Sequence, residues 1–283
     1  MRITSEFSLL ALLGHPVQHS LSPLFQNAAL QKLGLPYVYL AFDVAPDDLK
    51  DALYGLKALG FRGANLTVPH KELAVNFMDS LHEHAALLEA VNTVVNENGK
   101  LVGYNTDVAG FMKALHKNGA QLEGREVLLL GAGGAARAVA CALNEVKVTR
   151  IWVANRSWER ARLFLEWSRK ALTCPVESLS WTSLFEQPDK EPTFREIYAI
   201  INATALGLKG EEIPLPWGYL SGLHWVIDLV YGKKGTPLVK KAEEKNIRNF
   251  DGRDMLIFQG AESFRLFTGH QAPLDVMFGA LES

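Results

Sequence analysis

Residues 126–136 read EVLLLGAGGAA, and this stretch decides the architecture. A short apolar strand, Glu126–Leu130, runs without a gap into Gly131-x-Gly133-x-x-Ala136 and then into a helix over Gly134–Leu143. That spacing is an accepted form of the dinucleotide fingerprint. Gly131 permits the tight turn, Gly133 lets backbone approach a pyrophosphate, and the small Ala136 lets helix and strand pack closely. Ala132, Gly134 and Ala135 complete the loop. The helix start offers unpaired N–H groups and the positive end of a dipole to phosphate. A plain strand–helix turn would use some of the same residues, so the flanking elements carry the argument.

Downstream, the next strand, Ile151–Ala154, ends in Asn155-Arg156-Ser157-Trp158-Glu159-Arg160. An NAD enzyme places Asp or Glu at this strand end to bind the ribose 2′-hydroxyl, whereas an NADP enzyme has Arg nearby. No carboxylate stands at the key position here. Arg156 and Arg160, with Asn155 and Ser157, fit a 2′-phosphate, because guanidinium binds two oxygens at once. The alternative is a solvated helix start, with Glu159 paired to either neighbouring arginine.

Strands and helices alternate on both sides of this unit. Upstream the pattern gives strands over Leu9–Leu13, Val38–Phe42 and Arg62–Leu66, and helices over Pro23–Leu33 and Pro46–Leu59. Val91–Asn96 and Lys100–Tyr104 flank Asn98-Gly99, a strong hairpin signal. A helix over Val108–Lys117 then leads to a plausible boundary at Asn118-Gly119. Downstream come a helix over Trp158–Lys170, strands over Ile197–Ile201, Trp225–Val230 and Ile247–Phe250, and helices over Thr236–Lys245, Met255–Phe267 and Leu274–Leu281. Residues 171–196 yield no clear elements. The alternation predicts an α/β protein with largely parallel sheets.

The chain has 283 residues, enough for two domains. Its 29 Lys plus Arg against 31 Asp plus Glu leave no basic surplus, which argues against a nucleic-acid partner. No apolar run approaches a membrane span, and the N-terminus lacks a signal-peptide pattern. The two cysteines, Cys141 and Cys174, suit a reducing compartment, so a cytoplasmic location is expected. The eight histidines are scattered without ligand spacing, so no metal is expected, and His19 and His70 read as loop or helix-start residues.

The first half carries further motifs. His19-Ser20-Leu21-Ser22-Pro23 follows the first strand, with Ser22 placed as a helix N-cap and Pro23 as the first helical residue. Ser20 and Ser22 can face the same way and suit a carboxylate, although capping alone would explain Ser22. Asn65-Leu66-Thr67-Val68-Pro69-His70-Lys71, Ala90-Val91-Asn92-Thr93 and Gly103-Tyr104-Asn105-Thr106-Asp107 come next. Each is ambiguous alone: Lys71 could be a solvated lysine, Asn92 a turn residue and Asp107 an N-cap.

In this order, together with GAGGAA, NRSWER, NAT, DLVY and FQGAESF, they make the chain resemble the shikimate dehydrogenase family over nearly its whole length. The resemblance implies an N-terminal α/β substrate domain and a Rossmann-type doubly wound dinucleotide domain, with the final helices returning to the first domain. Residues 1–107 and 252–283 would form the substrate domain, and residues 108–251 the NADP domain. It implies that Ser20, Ser22, Thr67, Asn92, Asp107, Tyr231 and Gln259 surround a small-molecule substrate, with Lys71 the catalytic residue. It also adds Thr204, Leu229 and Gly252 to the cofactor site.

The implied reaction is the reversible reduction of 3-dehydroshikimate with NADPH, in a monomer or homodimer. Lys71, bonded to Asp107, handles the proton, and the oxidative direction gains at alkaline pH because the lysine must first be deprotonated. An NAD-preferring quinate/shikimate dehydrogenase and a non-catalytic NADP-binding regulator are the alternatives. The chain departs from the family pattern at Gln26 (usually His), Ala205 (Ser or Pro), Lys233 (Pro) and Asp254 (Gly).

Overall fold

Strand β1 (Ser8–Gly14) displays the sheet period: Leu10 and Leu12 pack with Phe25, Phe264 and Phe267, while Ala11 and Leu13 pack with Leu49, Leu53 and Phe61. Successive side chains leave opposite faces of a strand, so apolar residues on both faces mean that both faces are covered. The computed structural model describes residues 4–186, 192–232 and 235–282, and Lys233 lies outside the described residues. The chain forms two compact units. One runs through Gly110 and resumes at Leu256, and the other is Phe111–Met255.

After β1 the first unit has α1 (Ser22–Lys32), β2 (Tyr37–Asp43), α2 (Leu49–Ala58), β3 (Gly63–Leu66), α3 (His70–Leu73), β4 (Ser80–Leu81), α4 (Glu83–Leu88), β5 (Thr93–Glu97) and β6 (Lys100–Tyr104). Helix α5 (Asp107–Lys117) follows. The sheet order is β2-β1-β3-β5-β6-β4. Strands β1, β2 and β3 pair in parallel, but β5 is antiparallel to both β3 and β6. This sheet is therefore mixed. The hairpin turn makes it so: Asn98 (φ 54°) and Gly99 (φ 86°) both take positive φ, as a type I′ turn demands.

The second unit contains β7 (Glu126–Leu130), α6 (Gly134–Glu145), β8 (Arg150–Ala154), α7 (Trp158–Ala171), β9 (Val176–Ser178), α8 (Trp181–Glu186), β10 (Ile197–Asn202), β11 (Trp225–Asp228), α9 (Pro237–Glu244) and β12 (Arg248–Phe250). Helices α10 (Arg253–Thr268) and α11 (Leu274–Glu282) complete the chain. All neighbouring strands here are parallel, in the order β9-β8-β7-β10-β11-β12. This is the doubly wound order, and its direction reverses between β7 and β10, where such sheets bind ligands. Ala136 is fully buried, as close packing of α6 on β7 requires. Thr236 caps α9 and Pro237 begins it, which is the favoured pairing at a helix start.

Several sequence expectations are corrected. The N-cap of α1 is Leu21, not Ser22, which is already helical. Elements β4, α4, β9 and α8 were not legible, because runs of two to six residues carry too little periodicity. Two departures from the family pattern have local roles. Gln26 is fully buried and its Nε2 donates to the Gly260 carbonyl at 2.9 Å. Asp254 accepts from Lys117 Nζ and Asn118 Nδ2, both at 2.6 Å, and so joins the end of α5 to the start of α10. Among the described residues no helix is long and apolar enough to cross a membrane.

Candidate active site

In the first unit Lys71 Nζ donates to Asp107 Oδ2 at 2.6 Å. The pair is largely enclosed: the Lys71 side chain is 19% exposed and that of Asp107 5%. Lys71 sits on α3, which is tied at two points. Val91 N–H donates to the Lys71 carbonyl at 2.8 Å, and the buried ring of His70 bonds Val44 O at 2.8 Å through Nε2. A carbonyl only accepts, so Nε2 carries the proton. Burial lowers the His70 pKa and keeps the ring neutral.

Asp107 opens α5, but its carboxylate does not cap it. The helix-start N–H of Asp107 goes to Asn105 Oδ1 at 3.0 Å. The second oxygen, Oδ1, accepts from Asn92 Nδ2 at 2.8 Å. Asn92 is 1% exposed and also takes Thr106 N–H on its Oδ1 at 2.8 Å. Gln259 reaches this cluster from α10, with Oε1 at 3.4 Å from both Asn92 Nδ2 and Thr106 Oγ1.

The network continues to the other end of the motif set. Thr93 Oγ1 donates to Asn92 Oδ1 at 2.9 Å, and Asn65 Nδ2 lies within bonding distance of Thr93 Oγ1 and Ser263 Oγ. Tyr39 OH donates to Asn65 Oδ1 at 2.9 Å, and Ser22 bonds the Tyr39 phenol, whose pKa burial raises strongly. Ser22 and Lys71 therefore stand at opposite ends of one connected buried network. Ser20 Oγ accepts the Ser22 N–H at 3.2 Å, taking the role expected of Ser22. Thr67 closes the β3 segment, its N–H bonded to Leu13 O at 3.0 Å.

Sequence reasoning missed Tyr39, Thr106 and Ser263 as members of this network. Ser263 was findable, lying four residues after Gln259 and thus on the same face of α10. Tyr39 was not, because in an alternating strand it reads as an ordinary core aromatic.

In the second unit a pocket of 490 Å³ is lined by Gly131, Ala132 and Gly133 after β7, by Asn155, Arg156 and Arg160 after β8, and by Trp181 after β9. Residues 203–206, Leu208, Lys209 and Glu211, after β10, complete it. Every lining segment follows the carboxyl end of a parallel strand, the usual ligand side of such sheets. Gly131 has φ 109°, and a Cβ there would stand 2.9 Å from the Ala203 carbonyl oxygen, so glycine is required.

Glu159 does not pair with Arg156 or Arg160. Its carboxylate takes Arg162, which also bonds Glu166. Among the described residues Arg156 and Arg160 have no ion-pair partner, so their charge is free to meet an anion. Ser157 caps α7 by accepting Arg160 N–H at 3.4 Å and does not line the pocket. Gly134 and Ala135 begin α6 but are likewise not among the lining residues.

Thr204 is held by its own motif. Asn202 Oδ1 accepts from Thr204 N–H at 3.0 Å and from its hydroxyl at 2.6 Å. Asn202 is fixed in turn by Asp228, which also binds Thr236 Oγ1 and Val230 N–H. Burial raises the Asp228 pKa, and these three donors oppose the rise. Leu229, Tyr231 and Gly252 cluster outside the pocket. A Cβ on Gly252 would lie 2.1 Å from Leu229 O and 3.2 Å from Tyr231 Cδ1. The phenol of Tyr231 has its pKa raised by burial.

Comparisons with known proteins agree in kind. Residues 12–94 match the model of the shikimate dehydrogenase substrate binding domain, and residues 113–182 that of shikimate / quinate 5-dehydrogenase. Residues 252–282 match the shikimate 5′-dehydrogenase C-terminal domain. A shikimate dehydrogenase (NADP(+)) of Moorella thermoacetica is 45% identical over 98% of this chain and 93% of its own. The shikimate 5-dehydrogenase of Listeria monocytogenes, solved with shikimate and NAD, superposes with TM-score 0.89 at 35% identity, covering 99% of this chain and 98% of that one. The Thermus thermophilus enzyme, solved with NADP(H) and shikimate, gives TM-score 0.84 at 37% identity, covering 97% and 98%.

Proposed function

The chain belongs to the shikimate dehydrogenase family, and on that footing we propose that it catalyses the reversible, NADP-dependent reduction of 3-dehydroshikimate to shikimate. The observation that carries this reading is the 2.6 Å contact of Lys71 with a buried Asp107. A ketone reduction needs a hydride donor and a proton donor for the developing alkoxide. When bound, NADPH supplies the hydride.

The chain supplies the rest. Lys71, hydrogen-bonded to Asp107, gives a proton to the substrate oxygen in reduction. In shikimate oxidation the same amine takes the proton from the substrate hydroxyl. Ser20 and Ser22 suit the substrate carboxylate, and Thr67, Asn92, Asp107, Tyr231 and Gln259 suit its hydroxyls. The donor set of the second unit fits NADP: the backbone of the Gly131–Gly133 turn for the pyrophosphate, and the guanidiniums of Arg156 and Arg160, without an ion-pair partner among the described residues, for the 2′-phosphate. Asn155 and Ser157 shape that end, Thr204 stands beside the glycine turn, and Leu229 and Gly252 shape the backbone beside Tyr231. Two free thiols suit a cytoplasmic setting.

The direct test is absorbance at the reduced-nicotinamide band with shikimate and NADP. Absence of turnover sinks the reading, and binding of NADP without turnover would favour a regulator. Initial rates with quinate and with NAD measure the family alternative. Arg156→Ala is expected to raise the KM for NADP about tenfold while leaving that for NAD nearly unchanged. An unchanged ratio of the two would refute the 2′-phosphate assignment.

A further inference from the structure

The cofactor pocket contains one large aromatic side chain that the family motifs do not account for. Trp181 follows β9, within the stretch 171–196 where the sequence pattern is irregular. It is half-buried and packs against the core cluster of its unit, and Phe185 meets it edge-on with ring centroids 4.7 Å apart. Its position is therefore fixed from behind, by core packing and by a neighbour one helical turn away.

The order of the strands suggests what it meets. Going outward from the switch point, the pocket wall consists of the glycine turn after β7, the arginines after β8, and Trp181 after β9. In an adenosine 2′-phosphate joined through a pyrophosphate, the same order of chemistry holds: pyrophosphate, then ribose with its 2′-phosphate, then the base. The glycine turn suits the first and the arginines the second. Trp181 falls where the third belongs.

One oxygen of the acidic group nearby is already engaged. Glu211 closes the Gly207–Glu211 turn by accepting the N–H of Gly207 at 3.2 Å and of Lys209 at 2.9 Å. Leu206 and Leu208, which also line the pocket, are apolar. A base lodged here meets faces and apolar edges more than hydrogen-bonding groups.

We propose that Trp181 is the platform on which the adenine of NADP stacks, and that the base is therefore held by its face rather than read by its edge. This rests on the NADP reading above. It implies that the enzyme accepts the hypoxanthine analogue of NADP, in which a carbonyl replaces the exocyclic amine.

The test uses titration with 2′,5′-ADP, which carries the base and the 2′-phosphate but no nicotinamide, together with NADP and hypoxanthine-dinucleotide phosphate kinetics. Stacking a base on an aromatic ring is worth roughly one to two orders of magnitude in affinity. Trp181→Leu keeps apolar packing against the core but removes the flat face, and is expected to weaken 2′,5′-ADP about tenfold. Trp181→Phe should stay within about threefold of the parent, and the hypoxanthine analogue should match NADP within about threefold.

An unchanged 2′,5′-ADP affinity in a folded Trp181→Leu protein overturns the inference. So does a rejection of the hypoxanthine analogue by more than tenfold. A parent protein that binds 2′,5′-ADP on Trp181 but never oxidises shikimate would refute the functional reading alone.

Discussion

Asn92→Asp tests the network around the catalytic pair most sharply, because it changes almost no volume. Asn92 Nδ2 lies 2.8 Å from Asp107 Oδ1, so the replacement sets two carboxylates face to face in a site with almost no solvent. With both ionised, the repulsion at an effective dielectric of about 20 is about 6 kcal/mol. Keeping one of them protonated at pH 7 costs about 4 kcal/mol, from an ordinary pKa near 3.9 at about 1.4 kcal/mol per unit. Protonation is the smaller cost, so it sets the loss of stability: about 4 kcal/mol at pH 7 and about 1.5 kcal/mol at pH 5. The direction follows from linkage. The new carboxyl has its folded pKa raised above the unfolded value, so stability is intact below about 4 and declines as pH rises toward the folded value. Urea unfolding of parent and variant at pH 5, 6 and 7 measures the difference, with Asn92→Ala as a control that loses the same hydrogen bonds without adding charge. A variant penalty that is flat across this range, or below about 1 kcal/mol at pH 7, would refute the buried, charge-sensitive network described above.

Three further outcomes are expected. Lys71→Ala should lower kcat by about 10²–10⁴ with little change in substrate KM, as measured by initial rates, since Asp107 retains its Asn92 donor. Gly252→Ala should cost about 3 kcal/mol in urea unfolding, because the added methyl meets the Leu229 carbonyl at 2.1 Å and that carbonyl is backbone. Burial lowers the His70 pKa in the folded chain, so the unfolded chain takes up its proton first as pH falls through about 6.5. The urea midpoint should therefore fall from pH 7.5 to 5.5, and His70→Gln, which keeps a donor for Val44 O, should flatten that fall.

The doubly wound unit was legible because its signals are local. The glycine turn lies in six consecutive residues, and the long runs around β7, α6, β8 and α7 have clear periods. The hairpin of β5 and β6 was equally plain from Asn98-Gly99. What escaped was short or three-dimensional. Elements of two to six residues, such as β4 and α8, have no period to read. The partner of Glu159 is Arg162, three residues on, rather than the arginines beside it in the motif, because residues three apart on a helix are neighbours. The N-cap of α1 shifted by one residue for a related reason. Pro23 fixes the helix start, but the hydroxyl of Ser22 is drawn inward to Tyr39, a residue 17 positions later that no local pattern marks. The motif residues Lys71, Asn92 and Asp107 were named from sequence and the bond of Lys71 to Asp107 was expected with them, whereas the bond of Asn92 to Asp107 required the fold.

The two units handle charge in opposite ways, and this decides what mutations in each should do. Around Asp107 the charge is enclosed and every neighbour is bonded to another: Lys71, Asn92, Thr106 and, through Asn65, Tyr39 and Ser22. Removing a member leaves a buried donor or acceptor unpaired, which costs about 1–3 kcal/mol before any effect on chemistry is counted. Activity and stability should therefore fall together for the inner members, Asn92 and Asn65. At Arg156 and Arg160 the charge is exposed to the pocket and has no ion-pair partner among the described residues, so removal costs the fold little and affects binding directly. Asn202 and Asp228 are the exception in the second unit, because their bonds hold Thr204 in place from a buried position. Asp228→Ala should thus resemble an inner-network variant, losing stability and NADP affinity at once, and a loss of affinity with an unchanged urea midpoint would contradict that grouping.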